Sequence, residues 1–218
     1  MNNSFPNKCY WCGTDLSKET NKAEHVPPQG FFPGCPKENL IKVPSCKKHN
    51  NDFSALDERF RIYIQSIGSN QAAIDQFKDK TIRGLKRNES KKLVESLSKE
   101  SHSLTINGHK QLVFEFSKEY TDLFMEKIIR GLYFFHNSKH TEGNLISFSL
   151  LFPVLEIDYE SIYESIIDEL RSDKMKEGVY FYPQIFRYRY ANLIENDSFL
   201  VVLDFYEGVE FIGLITPY

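Results

Sequence analysis

Two pairs of potential metal ligands constrain the fold of this chain more than any other feature of its sequence. The pairs are Cys9-x2-Cys12 and Cys46-x2-His49. Structural Zn²⁺ takes four tetrahedral cysteine or histidine ligands, and a two-residue spacing allows both members of a pair to reach one ion. We therefore predict that these four residues bind one structural zinc ion. Because protein atoms fill all four positions, none is left for a catalytic water at that ion.

The stretch between and just after these pairs contains polar residues in a characteristic order. Glu24 and His25 are adjacent and precede Val-Pro-Pro. Asn39 begins an Asn-Leu pair, and Asn50 directly follows the last zinc ligand. Inside a zinc frame, this order resembles that of the HNH endonucleases over residues 9 to 60. The resemblance implies a ββα-metal module, in which two strands and a helix surround a divalent metal ion.

The resemblance also implies a role for each of these residues. Glu24 and Asn50 would be ligands of a catalytic Mg²⁺-type ion, and His25 would be the general base. Asn39 would form a hydrogen bond with the imidazole of His25 and fix its tautomer. The active site would then consist of four side chains held together by the zinc frame.

The sequence departs from the family pattern at two positions. The family more often has Asp than Glu at position 24, and more often Cys than His at position 49. The longer side chain of Glu24 must fold back to hold an ion, whereas the imidazole of His49 is an ordinary zinc donor. Asn51 and Asp52 are alternatives to Asn50 as the metal ligand, because the start of a helix can turn either of them inward.

The residue types agree with the chemistry of phosphodiester cleavage. A neutral histidine such as His25 can activate a water molecule. Mg²⁺ prefers oxygen ligands, keeps several waters, and is commonly held by one or two protein groups together with substrate phosphate. One oxygen each from Glu24 and Asn50 is therefore a sufficient contribution from the protein. We expect a metal-dependent endonuclease that acts on DNA and, by analogy with the family, leaves a 5′-phosphate and a 3′-hydroxyl.

Two other functions fit the same residues. Four zinc ligands alone can belong to a module that binds nucleic acid without cutting it. The chain can also be a nuclease effector that is silent until a protein partner activates it, with an acidic C-terminal region as the docking surface. Small HNH proteins often belong to bacterial defence or mobile-element systems. A protein partner in a defence complex is therefore an implication of the resemblance.

The charge is unevenly distributed along the chain. The formal net charge is −3, yet residues 61 to 100 carry 9 basic against 5 acidic residues. A basic segment beside the predicted site suits contact with phosphates. Within it Lys80, Arg83 and Arg87 share one face of a predicted helix, with spacings of three and seven residues. We predict that they contact nucleic acid, with a merely solvated helix face as the alternative.

Composition and cysteine usage predict a globular protein from a reducing compartment. Hydrophobic residues make up 41% of the chain. No apolar run approaches the roughly 20 residues of a membrane span, and the N-terminus has no signal-peptide core. Three cysteines belong to the metal pattern, and Cys35 stands alone in a predicted loop. We expect a cytoplasmic protein that does not associate with membranes.

Hydrophobic periodicity predicts an α+β protein in three parts. Residues 1 to 68 form the HNH module, with two strands within residues 22 to 44 and a helix from Asn50 to Gly68. Residues 69 to 100 form a basic helical connector, and residues 101 to 218 form a C-terminal α+β domain with antiparallel strands. The elements predicted in that domain are a hairpin over 103 to 117 around Asn107-Gly108, a helix from Tyr120 to His136, a helix over 158 to 172, and strands over 145 to 155, 177 to 190, 199 to 206 and 209 to 216.

Three features of the sequence have two interpretations each. Phe31 and Phe32 either anchor their loop to the body of the protein or stand exposed as a wedge against bases. The arginine- and tyrosine-rich run over residues 181 to 190 either packs within a sheet or binds nucleic acid. Asp57 is interpreted as a solvated helix residue, with support of the metal ligands as the alternative.

Overall fold

The computed structural model describes residues 5–115, 117–149, 166, 170, 173–193 and 197–216. Helices combine with antiparallel sheets, which confirms the predicted α+β class. The strands are β1 (Asn21–His25), β2 (Lys42–Cys46), β3 (Ser101–Ile106), β4 (His109–Phe114), β5 (Asn144–Ser149), β6 (Lys176–Glu177), β7 (Phe186–Leu193), β8 (Ser198–Phe205) and β9 (Val209–Thr216). The α-helices are α1 (Lys47–Asp52), α2 (Ser54–Ile67), α3 (Gln71–Gln76), α4 (Ile82–Leu85), α5 (Lys91–Lys99) and α6 (Lys118–Asn137).

The N-terminal part forms the predicted order of strand, loop, strand and helix. β1 and β2 pair antiparallel, with Glu24 opposite Val43 and His25 opposite Lys42. β2 leads directly into α1, and α2 follows after a single break at Phe53. The loop between the strands is anchored by Phe31 and Phe32, which are buried. The interpretation of these two aromatic residues as an exposed wedge is therefore wrong.

The basic connector is not one continuous helix. Asn70 begins α3, because its side chain accepts a hydrogen bond from the backbone of Ala73. A π-helical turn, Phe77–Thr81, follows α3, and α4 ends at Leu85. Arg87 therefore lies beyond the helix, with an extended backbone (φ −79°, ψ 151°). The prediction that Arg87 shares a helix face with Lys80 and Arg83 is wrong.

A hairpin and a long helix follow the connector, as predicted. β3 and β4 pair around Asn107 and Gly108, whose φ angles of 53° and 80° suit a tight two-residue hairpin turn. Helix α6 begins at the side-chain cap of Ser117 and carries an apolar face that is almost completely buried. Among the described residues, no helix combines the length and apolar character that a membrane crossing requires.

The C-terminal strands form a five-stranded antiparallel sheet in the order β5-β9-β8-β7-β6. All eight residues of β8, the central strand, are buried, because apolar clusters cover both of its faces. The strand predicted over 177 to 190 is interrupted, since Pro183 cannot donate to a ladder and lies in the turn before β7. The helix predicted over 158 to 172 falls outside the described residues, apart from Ile166 and Leu170.

One hydrophobic core extends across the N-terminal and C-terminal parts of the chain. It includes Tyr10 and Val43 from the first part, Phe124 from α6, and Phe205 from the large sheet. Phe31 links the parts directly, with its ring centroid 5.9 Å from that of Phe124 and 5.4 Å from that of Phe205. Helix α6 therefore packs between the N-terminal hairpin and the sheet, and this position brings its side chains to the candidate site.

Candidate functional site

The four predicted zinc ligands converge, although they come from two separate stretches of chain. One ligand atom from each of Cys9, Cys12, Cys46 and His49 lies within 4.8 Å of all the others. His49 Nδ1 lies 3.8 Å from Cys9 Sγ and 3.2 Å from Cys46 Sγ. Sulfur and nitrogen ligands of a tetrahedral zinc ion are about 3.6 Å apart, given usual bond lengths. The cluster fits one metal ion and is consistent with structural zinc.

Backbone hydrogen bonds fix the first cysteine pair against β2. Gly13 donates to the carbonyl of Cys9, and Cys9 donates to that of Thr14, both over 2.9 Å. The resulting tight turn brings both sulfur atoms to one side. The backbone of Tyr10 also donates to the carbonyl of Pro44 over 2.9 Å, which ties the turn to the strand that leads to Cys46.

Aromatic and histidine side chains surround the cluster. The ring centroid of Trp11 lies 4.9 Å from that of Phe53 and 6.2 Å from that of His49. From the C-terminal part, His140 Nε2 donates to the carbonyl of Trp11 over 3.0 Å. Gly13 (φ +68°) is needed there, because a Cβ atom would lie 2.9 Å from His140 Nδ1.

The predicted metal ligands Glu24 and Asn50 are also neighbours. Glu24 is only 6% exposed, and its Oε2 accepts a hydrogen bond of 2.9 Å from Asn50 Nδ2. Asn51 and Asp52 are exposed on the same short helix. Of the three candidates at this position, Asn50 is the one in contact with Glu24, and its ligand role stays a prediction.

A buried lysine that the sequence analysis did not single out completes this cluster. Lys127 on α6 is fully buried, and its Nζ lies 3.0 Å from Glu24 Oε1. The same Nζ donates to both carboxylate oxygens of Asp57 over 2.6 Å each. The interpretation of Asp57 as a solvated helix residue is therefore wrong. Burial raises the pKa of Asp57 to about 6, although its contact with Lys127 acts in the opposite direction.

His25 lies beside this cluster in a state suited to accept a proton. Its Nε2 is buried and has no hydrogen-bond partner among the described residues. Burial lowers the pKa of His25, and the positive charges of Lys42 and Lys37 lower it further. The imidazole is therefore neutral at physiological pH, which a general base requires.

Asn39 does not take the position expected for a partner of His25. It ends a short 3-10 turn, Lys37–Asn39, and no hydrogen bond between its side chain and His25 occurs within the described part of the chain. Asn39 instead lines a cavity of about 530 Å³, which contains none of Glu24, His25 and Asn50. The predicted orienting hydrogen bond is absent from the structure.

Glu24, His25 and Asn50 share a different pocket, of about 390 Å³. One wall consists of a single face of α1 and α2, which contributes Asn50, Ser54, Asp57, Glu58 and Arg61. The guanidinium of Arg61 donates to the neutral side chains of Gln65 and Thr81 over 3.2 and 2.8 Å. Within the described residues it forms no salt bridge. Burial lowers the pKa of Arg61, although the charge of Glu58 in the same pocket wall acts in the opposite direction.

The predicted nucleic-acid-binding residues lie on the surface, outside this pocket. Lys80, Arg83 and Arg87 are exposed. Arg83 pairs with Asp79 over 3.1 Å, and both side chains are mostly exposed, so the pair contributes little stability. Their role in binding nucleic acid stays a prediction.

The second half of the arginine- and tyrosine-rich run, residues 186 to 190, lies in strand β7 of the large sheet. Tyr188 is buried, and Arg187 on β7 donates to Asp204 on β8 over 2.6 Å. These contacts favour sheet packing as the explanation for the run.

Lys127 is not among the residues predicted from the sequence, although the hydrophobic periodicity of α6 contains a signal for it. Lys127 lies between the buried apolar residues Phe124 and Ile128, so it interrupts the apolar stripe of α6. A lysine in such a stripe is rarely buried without an anionic partner.

No protein-family model, curated protein or solved structure that was compared with the chain matches it.

Proposed function

We propose that this chain is a metal-dependent endonuclease of the HNH type that hydrolyses phosphodiester bonds in DNA. The observation that carries the proposal is the pocket that contains Glu24, His25 and Asn50. The pocket adjoins a cluster of three cysteines and one histidine that fits a structural zinc ion. An acidic ligand, a neutral imidazole and an amide on a zinc-fastened hairpin and helix match the parts that phosphodiester hydrolysis needs.

Each side chain has a distinct task in the proposed reaction. The unpartnered Nε2 of His25 accepts a proton from the attacking water. Glu24 and Asn50 would hold a Mg²⁺-type ion through a carboxylate oxygen and the amide oxygen, and that ion would supply charge stabilisation at the phosphate and the departing oxygen. Arg61 faces the same pocket and binds a non-bridging phosphate oxygen.

A second candidate function is a zinc module that binds nucleic acid without cutting it. The observation that favours it is the engagement of both carboxylate oxygens of Glu24, one by Lys127 and one by Asn50. In this alternative the pocket has a structural role, and the protein has no metal-dependent activity.

Single-turnover cleavage of a labelled duplex across a Mg²⁺ titration separates the two functions. We expect cleavage by the wild-type protein and a loss of roughly 10²–10⁴-fold in His25→Ala, because a positioned base contributes that much. Zinc content and circular dichroism should not change. His102→Ala is the matched control, since His102 is an exposed histidine on β3 outside the pocket.

Each result of the cleavage experiment supports or excludes one of the candidate functions. Cleavage by His25→Ala at the wild-type rate under saturating metal excludes the HNH mechanism. No cleavage by any variant, together with binding of the duplex, supports the module that does not cut. Activity that appears only after a protein partner is added supports the partner-activated effector.

The metal ligands should behave differently from the base. Glu24→Gln keeps the shape of the side chain and a hydrogen-bond acceptor for Lys127, and Asn50→Ala removes the amide. We expect both to lose activity that a higher Mg²⁺ concentration partly restores, because their role is affinity for the ion. A loss that does not depend on Mg²⁺ concentration would contradict this assignment.

A further inference from the structure

The ammonium group of Lys127 occupies a position in which two carboxylates converge. It contacts both oxygens of Asp57 at 2.6 Å and one oxygen of Glu24 at 3.0 Å. Two carboxylates from different elements, one of them in contact through both oxygens, are also an arrangement that proteins use for divalent cations. Lys127 is fully buried, so the charge has no access to solvent and depends on these partners.

Two cations offset most of the negative charge around the pocket. Glu24, Asp57 and Glu58 contribute three negative charges, and Lys127 and Arg61 contribute two positive charges. A divalent cation at Glu24 would lie close to the ammonium group, and at short distance in a poorly solvated site this repulsion is strong. A phosphate group that enters together with the cation supplies negative charge that offsets this repulsion.

We propose that Lys127 is a built-in cation of the pocket, which holds Glu24 and Asp57 in place and prevents a divalent ion from binding there without substrate phosphate. The inference rests on the proposed function for the role of the ion in cleavage. Its test measures ion binding and protein stability, so that the inference and the nuclease proposal can fail separately.

The first experiment measures Mn²⁺ binding by electron paramagnetic resonance on zinc-loaded protein. The His25→Ala variant serves here, because it should bind the duplex and not cleave it. We expect Mn²⁺ to bind at least roughly tenfold more tightly when a DNA duplex is present, since the phosphate offsets the charge of Lys127. Equal Mn²⁺ affinity with and without the duplex would overturn the proposal if fluorescence anisotropy shows that the variant binds the duplex. Absence of duplex binding would instead contradict the proposed function, and the second experiment then tests the role of Lys127 without nucleic acid.

The second experiment removes the ammonium group. Lys127→Ala leaves two uncompensated carboxylates and space for a hydrated ion. In the absence of nucleic acid, we expect the affinity of this variant for Mn²⁺ to be at least roughly tenfold higher than that of the wild-type protein. Its thermal midpoint should rise with Mn²⁺ concentration, because binding to the folded state stabilises it.

The matched control is the double variant Lys127→Ala with Asp57→Asn, which has one carboxylate fewer and the same vacant space. Its thermal midpoint should depend on Mn²⁺ as weakly as that of the wild-type protein. Should zinc-loaded Lys127→Ala be unfolded without added Mn²⁺, recovery of its circular dichroism on addition of Mn²⁺ supports the proposal. If Mn²⁺ neither binds to nor restores Lys127→Ala, Lys127 is not a substitute for a divalent cation.

Discussion

At the scale of single residues, burial sets the protonation state of histidines far from the candidate site as well as within it. His136 on α6 stacks on Tyr190, with ring centroids 3.7 Å apart, and its Nε2 is 2.9 Å from the hydroxyl of Tyr188. Burial, and to a lesser degree the charge of Lys176, lowers the pKa of His136 to about 4. The folded protein therefore holds this imidazole neutral through the mildly acidic range.

We predict that His136 makes the protein less stable as the pH falls from 6.5 towards 4. The unfolded chain takes up the proton near pH 6.5 and the folded chain only near pH 4, so the free energy of unfolding decreases in this window. One such proton contributes a slope of at most about 1.4 kcal/mol per pH unit. Urea unfolding at several pH values gives the free energy of unfolding as a function of pH. This free energy should depend less steeply on pH in His136→Phe than in the wild-type protein, and an equal dependence in the two proteins would contradict the prediction.

The residues of the candidate site differ in how far the sequence could predict them. The four candidate metal ligands lie in pairs of short spacing, so local geometry brings each pair together. The contact between Lys127 and Asp57 joins residues 70 positions apart, and only the packing of α6 against α2 determines it. Asn39 is the reverse case, because the 3-10 turn at Lys37–Asn39 directs it to another cavity despite its matching sequence position.

At the scale of elements, helix α6 approaches the N-terminal hairpin closely at one glycine. A Cβ atom on Gly131 would lie 2.7 Å from Cγ2 of Val26, the residue that follows His25. Val26 is 2% exposed and β-branched, so it has little freedom to move aside. The missing side chain at position 131 therefore allows α6 to lie against the end of β1.

We predict that Gly131→Ala destabilises the protein by about 1–3 kcal/mol, as expected for an overpacked core. The matched control is Gly84→Ala in α4, where no atom of the described residues, apart from the adjacent residues and the backbone of the helix itself, lies within 4 Å of the new Cβ. The control should be neutral or stabilising by up to about 1 kcal/mol, because alanine favours helix more than glycine does. Urea unfolding measures the stability of both variants. An unchanged free energy of unfolding in Gly131→Ala would contradict the prediction and show that Val26 moves aside for the added methyl group.

The basic connector offers a test of nucleic-acid contact at the same scale. We expect that replacement of Lys80, Arg83 and Arg87 by glutamine weakens DNA binding and reduces its dependence on salt. Each lost phosphate contact reduces the slope of log affinity against log salt by about 0.9. Because Arg87 lies outside the helix that carries Arg83, the three single variants should have unequal effects.

A matched set on the neighbouring helix α5 controls for net charge. Lys91, Lys92 and Lys99 are also exposed, and their replacement by glutamine removes the same total charge. Fluorescence anisotropy across a salt series compares the two sets. If the two sets of replacements reduce DNA affinity and its salt dependence equally, the surface around Lys80 and Arg83 is merely solvated and makes no specific contact with DNA.

At the scale of the whole molecule, a shared core connects the region of the Cys/His cluster to the large sheet. The buried cluster that contains Tyr10 and Phe53 also contains Phe124 on α6 and Phe205 on β8. The sequence predicts the elements on each side, because their periodicities are local. It does not predict that they share a core, since that depends on side chains such as Phe31, which are far apart in sequence from their partners.

We predict that the zinc-loaded protein unfolds in one transition. The chain contains a single tryptophan, Trp11, so its fluorescence reports on the zinc cluster, whereas far-ultraviolet circular dichroism reports on all helices and strands. The two signals should change at the same temperature. Cys46→Ser should bind no zinc and unfold at a lower temperature, because the binding energy of a structural metal is folding energy. Separate transitions for the two signals would identify the N-terminal part as an independent unit.

The dependence of the pocket on Lys127 has a consequence for how the protein is made. All four cluster ligands have emerged from the ribosome once residue 49 is clear of the exit tunnel, so zinc can be captured early in translation. Lys127 is added 70 positions after Asp57. During that interval the nascent polypeptide has the two carboxylates that Lys127 contacts in the folded protein, and it lacks that ammonium group. Glu24 and Asp57 gain their cation only when α6 has been synthesised and has docked against the hairpin.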